Sequence, residues 1–265
     1  MNYKEITLQT SEHIAILTLN RPEARNAVTN NMMEHEIPAA IEEIRCNDDI
    51  RVAILTGAGK GFCAGGDMSM LDGIASGTAK PKPRSVVVQP LAFVAKAFES
   101  LPKPMIAAVN GAAMGAGLTL VTLCDFRIAA ASAKFGSSFI LRGLPPDTGL
   151  TYTLPRIVGM SKALRMMLLG DPIDAAEAQR IGLVEEVVPA EDLMPKCMAL
   201  AQRLAKMSPA AVEMTKQETY IGLTNDLYTQ LLVETRAMEK CLSTEDFRES
   251  IKAFMEKREP QYKGR

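Results

Sequence analysis

Residues 105–125, MIAAVNGAAMGAGLTLVTLCD, carry a strand, a glycine-rich turn and a helix in immediate succession. Met105 to Val109 are five consecutive apolar residues, the length of a buried strand, and Asn110-Gly111 breaks them. After the break Gly115 and Gly117 flank Ala116, and Leu118, Leu120, Val121 and Leu123 return at a spacing that suits a buried helix. Small residues let the backbone approach a ligand, and the first-turn amides of a helix lack internal acceptors. The turn therefore offers donors to an anion or a polarised carbonyl. A tight packing turn explains the same residues, and this stretch alone leaves both readings open.

A second stretch repeats the design. Residues 51–56, RVAILT, read as another buried strand and run into GAGKGFCAGGD at 57–67. Two donor-rich turns, each following an apolar strand, are what an oxyanion site built from two backbone amides requires. A phosphate loop does not fit, because Lys60 is followed by Gly rather than Ser or Thr, and the central turn is not a dinucleotide fingerprint.

Bulk composition narrows the function classes. The chain has 265 residues, enough for a substantial core, with 30 basic against 31 acidic side chains and a formal net charge of −1. That balance gives no electrostatic reason to expect a nucleic-acid or membrane-surface partner. Five cysteines, odd in number and widely spaced, read as reduced thiols of a cytoplasmic protein. The absence of a CxxC pair and the presence of only two histidines, His13 and His35, argue against a zinc site and a Ser-His-Asp triad. The first residues lack a signal-peptide core, and no apolar run reaches bilayer length.

Taken in order, residues 3–8 and 13–19 predict a hairpin with its turn at 10–12. Residues 29–46 predict an amphipathic helix that Pro38 weakens or bends. Residues 68–85 read as a substrate lid or pocket wall, a loop from Gly73 onward, followed by an amphipathic helix over 86–101. Short strands are expected at 126–129 and near 134–136, and a turn at Pro145-Pro146-Asp147-Thr148-Gly149. On its residues alone Asp147 reads as a helix cap ahead of a functional acid. Helices follow at 161–170 and 174–182, the latter opened by a capping box of Asp174 and Glu177, and a strand at 183–188. From about residue 190 the pattern is wholly helical, over 191–206, 209–221, 225–241 and 244–257, with Ser208 as an N-cap. The module boundary falls there, giving a core of 1–192 and a helical region of 193–265 whose apolar faces pack against another subunit or within one.

The motifs GFCAGGD (61–67), NGAAMGAG (110–117) and CDFRIA (124–129) resemble the crotonase, or enoyl-CoA hydratase/isomerase, superfamily. The resemblance extends from LNRPEARNA at 19–27 to AFMEKREPQYK at 253–263, nearly the whole chain. It implies an α/β fold, a spiral of repeated ββα units with a C-terminal helical oligomerisation region, forming a homotrimer or a dimer of trimers. It implies an acyl-CoA substrate and no cofactor beyond the coenzyme A of that substrate. By motif match the oxyanion donors are the amides of Gly66 and Ala116, with CoA contacts at Arg25, Ala27, Ala64, Asp67 and Met68, and Phe254 and Lys257 reaching a neighbouring subunit's ligand.

The acid/base positions depart from the hydratase pattern. Where that pattern has two glutamates this chain has Thr119 and Phe139, assigned instead to the acyl pocket, and neither exchanges protons at neutral pH. The segment RGLPPDTGLTYTLPRIVG resembles the P-[DE]-x-G branch, the 3-enoyl to 2-enoyl-CoA isomerases and ring-1,2-epoxyphenylacetyl-CoA isomerases. There the acid of the motif moves the proton, which implies that role for Asp147. The alternatives are an enoyl-CoA hydratase, a hydrolase or dehalogenase with Asp147 as nucleophile, and an acyl-CoA- or RNA-binding scaffold.

Overall fold

The structure is a computed structural model that describes residues 3–78 and 92–264. Strands β1 (Ile6–Ser11) and β2 (Ile14–Leu19) pair antiparallel. Their turn is Glu12-His13 rather than residues 10–12, with φ of 49° and 68°, the positive φ that two-residue hairpin turns demand. From β2 the sheet continues in parallel through β3 (Val52–Gly57), β4 (Met105–Val109), β6 (Phe126–Ala130) and β9 (Glu186–Val188). The last of these is shorter than the strand expected over 183–188.

Both faces of this sheet are covered, which is why 52–55 and 105–109 read as unbroken apolar runs instead of alternating ones. On one face Leu17, Leu55, Ala107 and Val109 pack into the main core with Ile37, Ile41 and Ile44 of helix α1 (Ile37–Cys46). On the other, Ile14, Ile54, Ile106 and Ile128 meet Leu193, Cys197 and Ala201 of helix α8 (Leu193–Ala205). The helical region thus begins as a layer of the core. Pro38 falls in the first turn of α1, where a wide turn over Met32–Glu36, closed by Ile37 N donating to Met32 O, hands over to regular helix.

A second, smaller sheet consists of β5 (Ala113–Met114), β7 (Lys134–Gly136) and β8 (Ile173–Asp174). Single parallel bridges, Cys63 with Ala113 and Val28 with Gly66, lengthen its edge. Successive turns of the chain give each sheet a strand and then add a helix. β4 and β5 lead into α4 (Ala116–Thr122), and β6 and β7 into α5 (Leu150–Val158) and α6 (Met160–Leu169). β8, α7 (Ala175–Arg180) and β9 complete the α/β spiral of ββα units.

Three expectations about local structure need comment. The segment after the first glycine turn opens as helix α2 (Met68–Ala75), and the rest of the expected lid, from 79 to 85, lies outside the described residues. Of the helix expected over 86–101, α3 (Ala92–Ser100) is observed, while 86–91, with Val87 and Leu91, lie outside the described residues. Ser208 does not cap α9 (Pro209–Gly222) through its side chain, because its hydroxyl donates to Asp246 Oδ2 at 3.0 Å. Asp174 does cap α7, accepting from Glu177 N at 2.8 Å.

Helices α9, α10 (Leu227–Leu242) and α11 (Glu245–Glu256) complete the chain. Lys216 fastens α9 to the core, donating to Asp125 Oδ2 at 2.7 Å and to Lys103 O at 3.0 Å. Leu227, Leu231 and Met238 of α10 and Ile251, Phe254 and Met255 of α11 stay exposed. No helix of the described residues is long and apolar enough to cross a membrane.

Candidate active site

The two glycine turns interlock. Met114 N donates to Cys63 O and Cys63 N to Ala112 O, each at 2.9 Å, which lays the first turn alongside the second. Gly115 sits at φ 53°, and a Cβ there would lie 3.8 Å from the Cα of Gly65. At Gly117 a Cβ would strike the carbonyl oxygen of Cys63 and come within 2.8 Å of its Cβ, so glycine is required for this approach. Gly66 follows Gly65, and Ala116 follows Gly115 as the first residue of α4. Among the described residues neither amide meets an acceptor. Around Gly66 a Cβ would meet nothing within 4 Å. Two unpartnered donors on adjoining backbones beside open space can take a polarised oxygen.

Two asparagines hold this construction, and sequence reasoning did not single them out. Asn26, fully buried, donates through Nδ2 to Ala58 O and Gly61 O at 2.9 and 2.8 Å. Asn110 donates to Gly57 O at 2.9 Å and Gly59 O at 3.0 Å. Arg25 and Asn26 both take positive φ, and this sharp turn carries the Asn26 side chain inward. Cys63, in the first turn, is fully buried, and that burial pushes its thiol up to about 12, away from the thiolate form.

Asp147 does not cap α5. The N-cap is Gly149, no side chain bonds the first turn, and Leu150 N donates instead to the backbone oxygen of Asp147 at 3.1 Å. Its carboxyl accepts from Thr148 Oγ1 at 3.0 Å. Burial raises its affinity for a proton, and the Thr148 hydroxyl and its own backbone amide offset that only in part, so the group titrates above an ordinary aspartate. Thr148 and Gly149 are both left-handed, φ 53° and 90°; for β-branched Thr148 this costs on the order of 1–3 kcal/mol. The turn is tied to α4 through Thr153, which donates to Gly149 O at 3.2 Å and shares a 2.7 Å bond with Thr122. A Cβ on Gly149 would lie 3.7 Å from Ala95 of α3.

Thr119 is fully buried, its hydroxyl turned back to Gly115 O at 3.4 Å. Phe139 lies against the second turn, its Cε2 3.9 Å from where a Gly115 Cβ would stand.

Of the positions matched to CoA binding, five gather at the first turn. Ala64 N donates to Arg25 O at 3.0 Å, Val28 N to Gly65 O at 2.8 Å and Asp67 N to Val28 O at 2.9 Å. Arg25, Ala64 and Met68 are exposed there, and Ala27 is buried. Asp67 is committed to structure, receiving Ser69 Oγ at 2.7 Å and Arg21 Nη1 at 2.8 Å, which hold its carboxyl below the usual range. Phe254 is 80% exposed on α11, and no hydrogen bond or ion pair among the described residues ties it or Lys257 to this cluster. Among the described residues no group of three His, Cys, Asp or Glu is placed to hold a metal ion.

The family model described as enoyl-CoA hydratase/isomerase matches residues 9–265. A protein of Rhodobacter capsulatus named "Probable enoyl-CoA hydratase" is 42% identical over 265 residues, covering 100% of both chains. The 1,2-epoxyphenylacetyl-CoA isomerase of Escherichia coli is 39% identical over 254 residues, covering 95% of each. A crystal structure of an enoyl-CoA hydratase from Bacillus anthracis superposes with a TM-score of 0.92 at 36% identity, covering 99% of this chain and 100% of that one.

Proposed function

The chain belongs to the enoyl-CoA hydratase/isomerase family, and from that membership we propose that it isomerises an enoyl-CoA or ring-epoxide acyl-CoA thioester by proton transfer through Asp147. The thioester oxygen accepts from the amides of Gly66 and Ala116. Removing a proton from the neighbouring carbon leaves an enolate whose charge falls on that oxygen, and donors already in place favour it over the ground state. Asp147 takes the proton from one carbon and returns it to another, so the double bond moves or the ring rearranges with no net change in composition. Arg25, Ala27, Ala64, Asp67 and Met68 border the coenzyme, and Phe139 and Thr119 wall the acyl chain.

The observation that carries this reading is the placement of Asp147. It is a largely buried carboxyl in a strained turn that does no capping, while positions 119 and 139 hold no acid. Hydration by two carboxylates lacks its second group. The hydratase name of the 42% identical relative favours the competing reading, and one assay separates them. With 3-hexenoyl-CoA, formation of the conjugated thioester is followed by absorbance; with crotonyl-CoA, its loss to hydration is followed. The isomerase reading expects turnover of the first, abolished in Asp147→Asn. Turnover of crotonyl-CoA alone, unaffected by Asp147→Asn, overturns it.

For the region 193–265 we propose trimerisation, with the exposed apolar faces of α10 and α11 as the contact and Phe254 and Lys257 approaching a neighbour's coenzyme. Sedimentation of the full chain tests this; a monomer at micromolar concentration would refute it.

A further inference from the structure

Thr148 is the least expected residue of the turn that carries Asp147. Its backbone sits at φ 53°, a conformation glycine adopts without strain and a β-branched residue does not. Its side chain is polar, yet the residue is only 6% exposed. Its hydroxyl donates to Asp147 Oδ1 at 3.0 Å. That bond joins neighbours in sequence, so it ties no two elements of the fold together; its effect is confined to the carboxyl. The anchoring of the turn is done by other groups, Leu150 N on Asp147 O and Thr153 on Gly149 O.

We propose that Thr148 is a positioning residue for proton transfer: its buried hydroxyl holds Oδ1 of Asp147 and leaves Oδ2 to exchange the proton with the acyl chain. The proposal rests on the reading of Asp147 as the proton-transferring acid. In the step, Oδ2 accepts the proton of a C–H bond, and that bond's electron pair enters the enolate, whose charge rests on the thioester oxygen. The enolate then takes the proton back from Oδ2 at a different carbon. Throughout, the Thr148 proton stays on its own oxygen. A hydroxyl donated to a carboxylate also favours the ionised form, so the same bond works against burial in setting where Asp147 titrates.

The test is the pH profile of 3-hexenoyl-CoA isomerisation by Thr148→Ser, Thr148→Ala, Thr148→Gly and Asp147→Asn. Serine keeps the hydroxyl and should leave kcat within about twofold, while alanine and glycine should lower kcat about tenfold or more with little change in KM. In the latter two the acidic limb of kcat should move to higher pH, because an unassisted carboxylate is protonated more readily. If the alanine variant does not fold, the glycine variant still reports, since glycine accepts the turn's φ. Wild-type kcat and an unmoved limb in Thr148→Gly, with Asp147→Asn inactive, would overturn the proposal and leave the role of Asp147 standing. An active Asp147→Asn would remove the reading beneath it. Carbon NMR titration of the Asp147 carboxyl, assigned by its loss in Asp147→Asn, gives the same comparison without substrate: a wild-type midpoint in Thr148→Gly contradicts the proposal.

Discussion

The hydroxyls of Thr122 and Thr153 stand 2.7 Å apart, joining the helix that begins at Ala116 to the helix that follows Asp147. Thr122 is nearly fully buried and lies 2.9 Å from Thr119 O; with Thr153 donating to Gly149 O, the single Thr122 proton is shared between Thr119 O and Thr153, and the pair forms a small polar seam inside an apolar core. Replacing either threonine by valine should cost about 1 kcal/mol in denaturant unfolding, because the bond between the two helices is lost while the remaining hydroxyl keeps its own helix carbonyl. The double variant should cost less than the sum of the singles. Strict additivity in the double-mutant cycle would show that the seam does not couple the two helices.

Gly117→Ala should damage activity more than stability. The new methyl would strike the carbonyl oxygen of Cys63 and force the two glycine turns apart. Overpacking of this kind costs roughly 1–3 kcal/mol. Misplacing one amide of the proposed oxyanion site should lower kcat about a hundredfold or more. A folded Gly117→Ala protein with wild-type kcat would mean that the approach of the turns does not matter to the chemistry.

Asp147 should make the protein less stable at neutral pH than it would otherwise be. Its proton affinity is raised by burial, so the folded state holds the proton more tightly than the unfolded chain does. The contribution is therefore full below the unfolded carboxylate range and is lost as pH rises through the folded value. Asp147→Asn should unfold at a higher temperature than wild type at pH 7, with the gap narrowing toward pH 4. A variant less stable than wild type at pH 7 would contradict this.

Glu36 works in the opposite direction. Burial alone would raise it, but Lys4 N at 3.0 Å, Glu5 N at 2.9 Å and Asn31 outweigh burial and hold the carboxyl below its usual range. Its contribution is present above the unfolded value and disappears as pH falls through the folded one. Glu36→Gln should therefore cost about 1–3 kcal/mol near pH 7, by urea denaturation, and much less under acid conditions. A pH-independent difference would refute the assignment.

What the sequence disclosed, it disclosed through periodicity. The apolar runs 51–56 and 105–109 marked the two strands whose ends carry the glycine turns, and both lie where expected. What stayed hidden were tertiary bonds between residues far apart in sequence. Nothing local marks Asn26 as the donor that holds Gly61, 35 residues on, or the hydroxyl of Ser208, which stands at the N-cap of its helix, as a partner of Asp246. The start of α2 was missed because Gly73 and the small residues after it outweighed the helical spacing of 68–75, and Asp67, whose Oδ1 accepts from Ser69 N at 3.0 Å, was assigned elsewhere. At Asp147, local preference suggested a cap; the left-handed pair Thr148-Gly149 moves the start of the helix past it.

The central claim is that two amides and one carboxyl meet around a thioester, and a crystal structure of Asp147→Asn with 3-hexenoyl-CoA bound tests it most directly. The thioester oxygen is predicted to lie about 3 Å from the backbone nitrogens of both Gly66 and Ala116, with the residue 147 side chain against the carbons between which the proton moves. A thioester oxygen bound to neither amide, or a residue 147 side chain facing away from the acyl chain, would contradict it.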